Sequence, residues 1–123
     1  GLNIQDARVG ILGLTFKEDC ADLRNSRVMD IIGELKSYAI HPIVHDPLAD
    51  PEEAKIFFNI NLSPMEEITQ LDAVVIAVGH QLYKNMPLDK LLIRLKSNGC
   101  IIDVKAILDC SEVKKSGVNY WRL

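Results

Sequence analysis

The run Asp72-Ala73-Val74-Val75-Ile76-Ala77-Val78-Gly79 constrains the fold of this chain more than any other segment. It is rich in β-branched residues, and no polar residue alternates along it. A strand of that kind is buried on both faces, as in a parallel sheet sandwiched between helices. Ala7 to Leu14 reads as a similar strand near the start, and Cys100 to Val104 as another near the end. Between them Ile40 to His45 reads as a strand ending at Asp46-Pro47, and Ile60 to Leu62 as a brief one. Asn119 to Leu123 reads as a last edge strand.

Helical signals fill the gaps. Ser26 is placed to cap a helix carrying Val28, Ile31, Ile32 and Leu35 at helical spacing. Pro51-Glu52-Glu53-Ala54 has the proline and acids of a first turn. Ser63 is expected to cap another helix through Met65-Glu66-Glu67. Leu88, Leu91, Leu92 and Leu95 form a stripe that Asn98-Gly99 would end, and Glu112 to Lys115 suggests one more turn. Strands alternating with helices predict an α/β fold: a doubly wound, mainly parallel, Rossmann-like sheet in a single domain, residues 1–123. Ligands of such sheets lie beyond the carboxyl ends of the strands. The loops after Leu14, Asp46, Gly79 and Asp103 are therefore expected on one rim.

At 123 residues, 48% of them hydrophobic, the chain can bury a core of its own. A net charge of −3 gives no reason to expect a nucleic-acid surface. No apolar run approaches the ~20 residues of a membrane span. The opening Gly1-Leu2-Asn3 does not resemble a signal peptide. Three cysteines without a Cys-x-x-Cys pair favour a reducing compartment, which is the cytoplasm. His41, His45 and His80 do not sit at ligand spacing with those thiols, so no metal is expected.

The chemistry is expected in Val9 to Ser26, VGILGLTFKEDCADLRNS. It opens like a dinucleotide-binding Gly-x-Gly loop, but Leu14, Thr15, Phe16 and Lys17 follow Gly13 where small residues belong. A side-chain grip on an anion fits better than a backbone cradle. Lys17 as a point charge, Arg24 as a fork and the helix start at Ser26 would together suit a pyrophosphate, with Phe16 as an apolar wall. The plainer alternative is a solvated charged loop.

Other rim residues carry similar alternatives. Asp46 is about 33 positions past Gly13, against ~20 for a ribose-binding acid, so Asp46-Pro47 reads as a turn. His80 is placed either to contact a ligand or to cap the next segment. Lys105 either meets a phosphate or joins an ion pair with Asp103. Cys20 lies between Lys17 and Arg24, yet Glu18, Asp19 and Asp22 crowd it with negative charge. No nucleophile–base pair is visible, so no catalytic residue is assigned. A phosphoacceptor receiver domain is excluded, because it requires an acidic pair where Gly13-Leu14-Thr15 stands.

The string GLTFKEDCADLRNS, followed in order by HDP, DAVVIAVGH and IIDVKAILD, resembles the C-terminal domain of the UDP-glucose/GDP-mannose dehydrogenase family. It is most similar to the bacterial branch acting on UDP-N-acetylhexosamines, and the resemblance covers nearly the whole chain. It implies a UDP-sugar-binding domain of an enzyme that oxidises a C6 alcohol to a carboxylate with two NAD⁺, through a thiohemiacetal on a cysteine. That cysteine, with a Lys and an Asn, belongs to a central region not in this chain, and Cys20 does not match it. NAD would be bound mainly by an N-terminal domain. The implied partners are the UDP-sugar and the other two domains, in a homodimer or higher oligomer.

The same resemblance implies residue roles. Phe16 and Lys17 match the pair that meets the nucleotide sugar, with Lys17 near the pyrophosphate. Arg24 matches an arginine at the domain junction near the cofactor. Asp103-Val104-Lys105-Ala106 stands where many members have Asp-Gly-Arg-Asn, so Lys105 replaces a substrate-reaching arginine. The alternative of another class is a stand-alone nucleotide-binding or regulatory α/β module without catalysis.

Overall fold

A computed structural model describes residues 6–122. The opening Gly1-Leu2-Asn3 and the terminal Leu123 lie outside them. Five parallel strands form one sheet in the order β2-β1-β3-β4-β5. They are β1 (Val9–Leu12), β2 (Ile43–His45), β3 (Leu71–Ile76), β4 (Leu95–Asp103) and β5 (Asn119–Arg122). The helices are α1 (Val28–Ser37), α2 (Pro51–Phe58), α3 (Gln81–Lys84), α4 (Leu88–Leu92) and α5 (Cys110–Ser116). The α/β, doubly wound expectation is met.

Both sheet faces are covered, as the unalternating strands require. On one face Ile11, Val44 and Val75 pack with Val28 and Ile32 of α1 and Ala54 of α2. On the other, Leu12, Val74, Ile76 and Ile101 pack with Tyr83 of α3 and Leu91 of α4. Successive residues Val75 and Ile76 therefore serve opposite cores, which is the period-two geometry of a strand. The largest of these side chains are essentially dry, each contributing roughly 1.5–3 kcal/mol of burial.

Several sequence expectations shift. β1 and β2 are shorter than Ala7–Leu14 and Ile40–His45. Ile60–Leu62 forms no strand, only one bridge between Val44 and Leu62. Met65–Glu67 is a 3₁₀ turn capped from Pro64, without a side-chain bond, so Ser63 is not a cap. Arg27, not Ser26, is the N-cap residue of α1, and its own side chain makes no capping hydrogen bond. Ser26 instead donates to the Leu14 carbonyl and accepts the Val28 N–H, tying α1 to the exit of β1.

The leucine stripe ends early. α4 stops at Leu92, and Leu95 already pairs with Leu71 in the sheet. The next pairing is Ala73 with Cys100, so four residues of β4 bulge between the two. Gly99 makes the bulge possible: a Cβ there would lie 2.9 Å from Leu95 Cβ and 3.0 Å from the Leu71 carbonyl. A strand irregularity, not a helix stop, is the role of Asn98-Gly99. By contrast α2 begins where expected, with Asp50 accepting the Glu52 and Glu53 N–H groups. α5 extends the expected turn from Asp109, its cap, to Gly117 in the left-handed region.

Candidate functional site

All strands run the same way, so the carboxyl ends of β1, β2, β3 and β4 share one rim. After β1 the chain goes first to β2 on one side and then to β3 on the other. The gap between β1 and β3 is the switch point where sheets of this order take ligands. Phe16 and Lys17 follow β1, and Gly79 and His80 follow β3, so both loops border that gap.

The glycine after β1 has a packing role. Gly13 has φ +103, and a Cβ there would lie 2.6 Å from Val78 Cβ. Its N–H donates to the His45 carbonyl at 2.8 Å. Glycine lets the β1 loop pass against the β3 loop, in a conformation costly to any other residue.

Asp46 organises the rim. Its side chain is completely buried. Oδ2 accepts the N–H groups of Leu14 at 2.7 Å and Thr15 at 3.1 Å, and His80 Nε2 lies 2.9 Å away. Oδ1 accepts the N–H groups of Leu48 at 2.8 Å and Ala49 at 3.1 Å. Burial alone pushes this carboxyl pKa up. The N–H groups of Leu14 and Leu48, with His80, outweigh it and hold the pKa below the usual value. The turn expected at Asp46-Pro47 is present, but the carboxylate also clamps the β1 and β3 loops. The sequence offered no signal for that, since its partners lie more than 30 residues away.

His80 is buried to 1% exposure, so its ring meets the protein interior and not solvent. Its carbonyl accepts the Tyr83 and Lys84 N–H groups at the start of α3, which makes it the cap the sequence allowed. Tyr83 in turn donates to the His45 carbonyl and lies 2.8 Å from His45 Nδ1. Burial raises the Tyr83 pKa and lowers that of His45, so both stay neutral near pH 7.

The other expected residues sit as follows. Phe16 and Lys17 are exposed on the rim, Phe16 at 47%. The Phe16 N–H closes their loop onto the Asp22 carbonyl at 2.7 Å. Lys105 lines a cavity of about 250 Å³ with Glu18, Gly79, Lys84 and Ile107. No ion pair joins it to Asp103, which is fully buried. Asp103 accepts instead from the Ile107 and Leu108 N–H groups and from Tyr120 Oη. Among the described residues, Lys17, Lys84 and Lys105 have no carboxylate partner within 4.0 Å. Lys84 was missed in the sequence because α3 was not foreseen; a Cβ on Gly79 would lie 3.6 Å from its Cε and 3.8 Å from Lys105 Cβ.

Arg24 lies elsewhere. It pairs with Asp22 at 3.1 Å and borders a different cavity with Leu23, Glu53 and Phe57. Lys105 and Arg24 thus face separate hollows. Cys20, Cys100 and Cys110 are free thiols. Burial raises the Cys100 pKa, the wrong direction for a nucleophile. No helix among the described residues is long and apolar enough to cross a membrane.

An open Rossmann-like α/β domain with unpaired lysines along its switch-point rim belongs to the class of small-ligand-binding sheets. Within that class, the chain belongs to the UDP-glucose/GDP-mannose dehydrogenase family, whose UDP binding domain matches residues 10–110. Protein CapL of Staphylococcus aureus is 42% identical over 123 residues, 100% of this chain and 28% of its own length. A UDP-N-acetyl-D-glucosamine 6-dehydrogenase of Salmonella typhi is 35% identical over 114 residues, 91% of this chain and 26% of its own. The solved NDP-N-acetyl-D-galactosaminuronic acid dehydrogenase from Methanosarcina mazei Go1 gives a TM-score of 0.81 at 24% identity, over 96% of this chain and 25% of that one. That likeness bears on the fold. The chain spans about a quarter of the length of the curated relatives it matches.

Proposed function

We propose that this domain holds the UDP end of a UDP-sugar in an NAD-dependent 6-dehydrogenase, which oxidises the sugar C6 alcohol to a carboxylate. The observation that carries the reading is the UDP binding domain match over residues 10–110, with Phe16 and Lys17 placed at the rim. Phe16 offers an apolar face to the base or sugar. Lys17 donates to the pyrophosphate as a point charge, and Lys105 supplies a second cation from the β4 loop. Arg24, on its separate hollow, is assigned to the cofactor side.

The domain's contribution to chemistry is binding energy. Holding the diphosphate far from C6 orients the reacting carbon, and that remote energy is used in the transition state. NAD⁺, bound mainly by residues outside this chain, would supply the hydride acceptor. The nucleophilic cysteine also lies outside it, so the chain alone is expected to be inactive. The whole enzyme is read as a cytoplasmic homodimer or higher oligomer. Free thiols support the compartment.

Calorimetric titration of the chain with UDP tests the reading. Lys17→Ala removes a charge-assisted contact and should weaken binding by roughly ten-fold or more. Unchanged UDP affinity in that variant would remove Lys17 from the site, and absence of UDP binding by the parent chain would overturn the nucleotide reading.

A further inference from the structure

The loop carrying Phe16 and Lys17 is held by one imidazole. The Asp19 N–H donates to His80 Nδ1 at 2.9 Å. A backbone N–H can only donate, so Nδ1 carries no proton and Nε2 does. That Nε2–H is shared between Asp46 Oδ2 at 2.9 Å and Thr15 Oγ1 at 3.1 Å. The Thr15 hydroxyl in turn donates a hydrogen bond to the Lys17 carbonyl at 3.2 Å. Every donor in this run of four hydrogen bonds, from Asp19 to the Lys17 carbonyl, has an acceptor, and only the Nε2–H tautomer satisfies them all.

Asp19 returns the contact. Its Oδ1 accepts the Gln81 N–H at 2.8 Å, which caps α3 from a residue 62 positions upstream. Asp19 itself sits at φ 56, a left-handed conformation that needs support from its surroundings. Two hydrogen bonds to His80 and Gln81 provide it. Lys17 thus lies between two carbonyl and amide anchors, Thr15 to Lys17 on one side and Asp19 to His80 on the other.

We propose that His80 is a positioning residue: its neutral Nε2–H ring latches the Phe16–Asp19 loop to the β3 loop and sets where Lys17 meets a diphosphate. The ligand part of this statement rests on the UDP reading above, whereas the latch does not. The buried ring does not touch the nucleotide. It acts through Asp19 on the loop that does.

Two substitutions separate the roles of the ring's two nitrogens. An Asn amide oxygen is the same number of bonds from Cα as Nδ1, and a Gln amide nitrogen the same number as Nε2. His80→Gln keeps a donor for Asp46 and loses the acceptor for Asp19. His80→Asn keeps the acceptor and loses the donor. In the 123-residue chain, H80Q should speed hydrogen exchange at the Asp19 amide and weaken UDP binding, each by roughly 2- to 10-fold, the worth of one hydrogen bond. H80N should lower the urea midpoint while leaving both readouts close to the parent's.

A merely structural histidine would lower the midpoint in both variants and move neither readout, and that result overturns the proposal. Long-range ¹H–¹⁵N spectra of the parent chain decide the matter if both variants fail to fold. The Nε2–H signature with a protected Asp19 amide supports the latch, and an Nδ1–H or doubly protonated ring overturns it. Should the parent chain not bind UDP, the nucleotide reading falls alone, because Asp19 exchange in H80Q still judges the latch.

Discussion

Asp46→Asn is the sharpest test of how the rim is built. The two carboxylate oxygens accept five hydrogen bonds, three on Oδ2 and two on Oδ1. An amide has only one oxygen. In its better orientation that oxygen serves Leu14, Thr15 and His80, and the NH₂ then faces the Leu48 and Ala49 N–H groups. A stranded buried donor costs ~1–3 kcal/mol; the Ala49 N–H is buried and the Leu48 N–H part-buried, so the two together, with the repulsion of the facing NH₂, come to about 3 kcal/mol. Unfolding entropy of ~2.1 cal/mol/K per residue makes that roughly a 12 °C fall in Tm for a chain of this size. Urea denaturation with a shared slope measures it directly. Asp50→Asn is the control: Asp50 is an exposed helix cap, and Asn caps as well as Asp, so its midpoint should hold. A loss below ~1 kcal/mol for Asp46→Asn would mean the rim is not organised by this carboxylate.

Other outcomes follow from the same geometry. Gly13→Ala should destabilise the chain by more than ~2 kcal/mol in urea titration, from positive-φ strain plus a 2.6 Å clash with Val78; a neutral result would mean the β1 and β3 loops are not packed as described. Arg24→Ala should leave the midpoint unchanged, because the exposed pair with Asp22 is screened by water. Two pH limbs are expected. The Asp46 pKa is lowered in the fold, so its stabilisation is present above the unfolded value near 3.8 and is lost as pH falls through the lower folded one; Asp46→Asn should flatten that acid limb. His45 is also lowered, by burial. Folding therefore disfavours its protonated form, stability is complete above the unfolded value of 6.5, and it declines as pH drops below; His45→Gln should remove that slope, as read from midpoints between about pH 7 and pH 5.

The amino-acid sequence determined the class of this protein. DAVVIAVG has only one comfortable home, the middle of a parallel sheet, because every position after Asp72 is apolar or glycine and both faces must be covered. The order of strands and helices placed Phe16, Lys17 and Lys105 on one rim, and the Phe-Lys and Asp-x-Arg-x-Ser motifs carried the family. Local chemistry was equally legible at Pro51, where cap, proline and acids lie within one turn. Legibility failed where the deciding partner is remote. Leu95 to Gly99 looks like a helix end, but Leu71 draws it into the sheet as a bulge. Asp46 looks like a turn residue, and only folding brings Leu14, Thr15 and His80 to its carboxylate. His80 itself carried two readings until burial and the Asp19 N–H fixed its tautomer. Apolar pattern is a property of neighbours in the chain, so it survives in one dimension. A buried polar network is assembled from segments tens of residues apart, and its hydrogen bonds are chosen only when the sheet order puts those loops side by side.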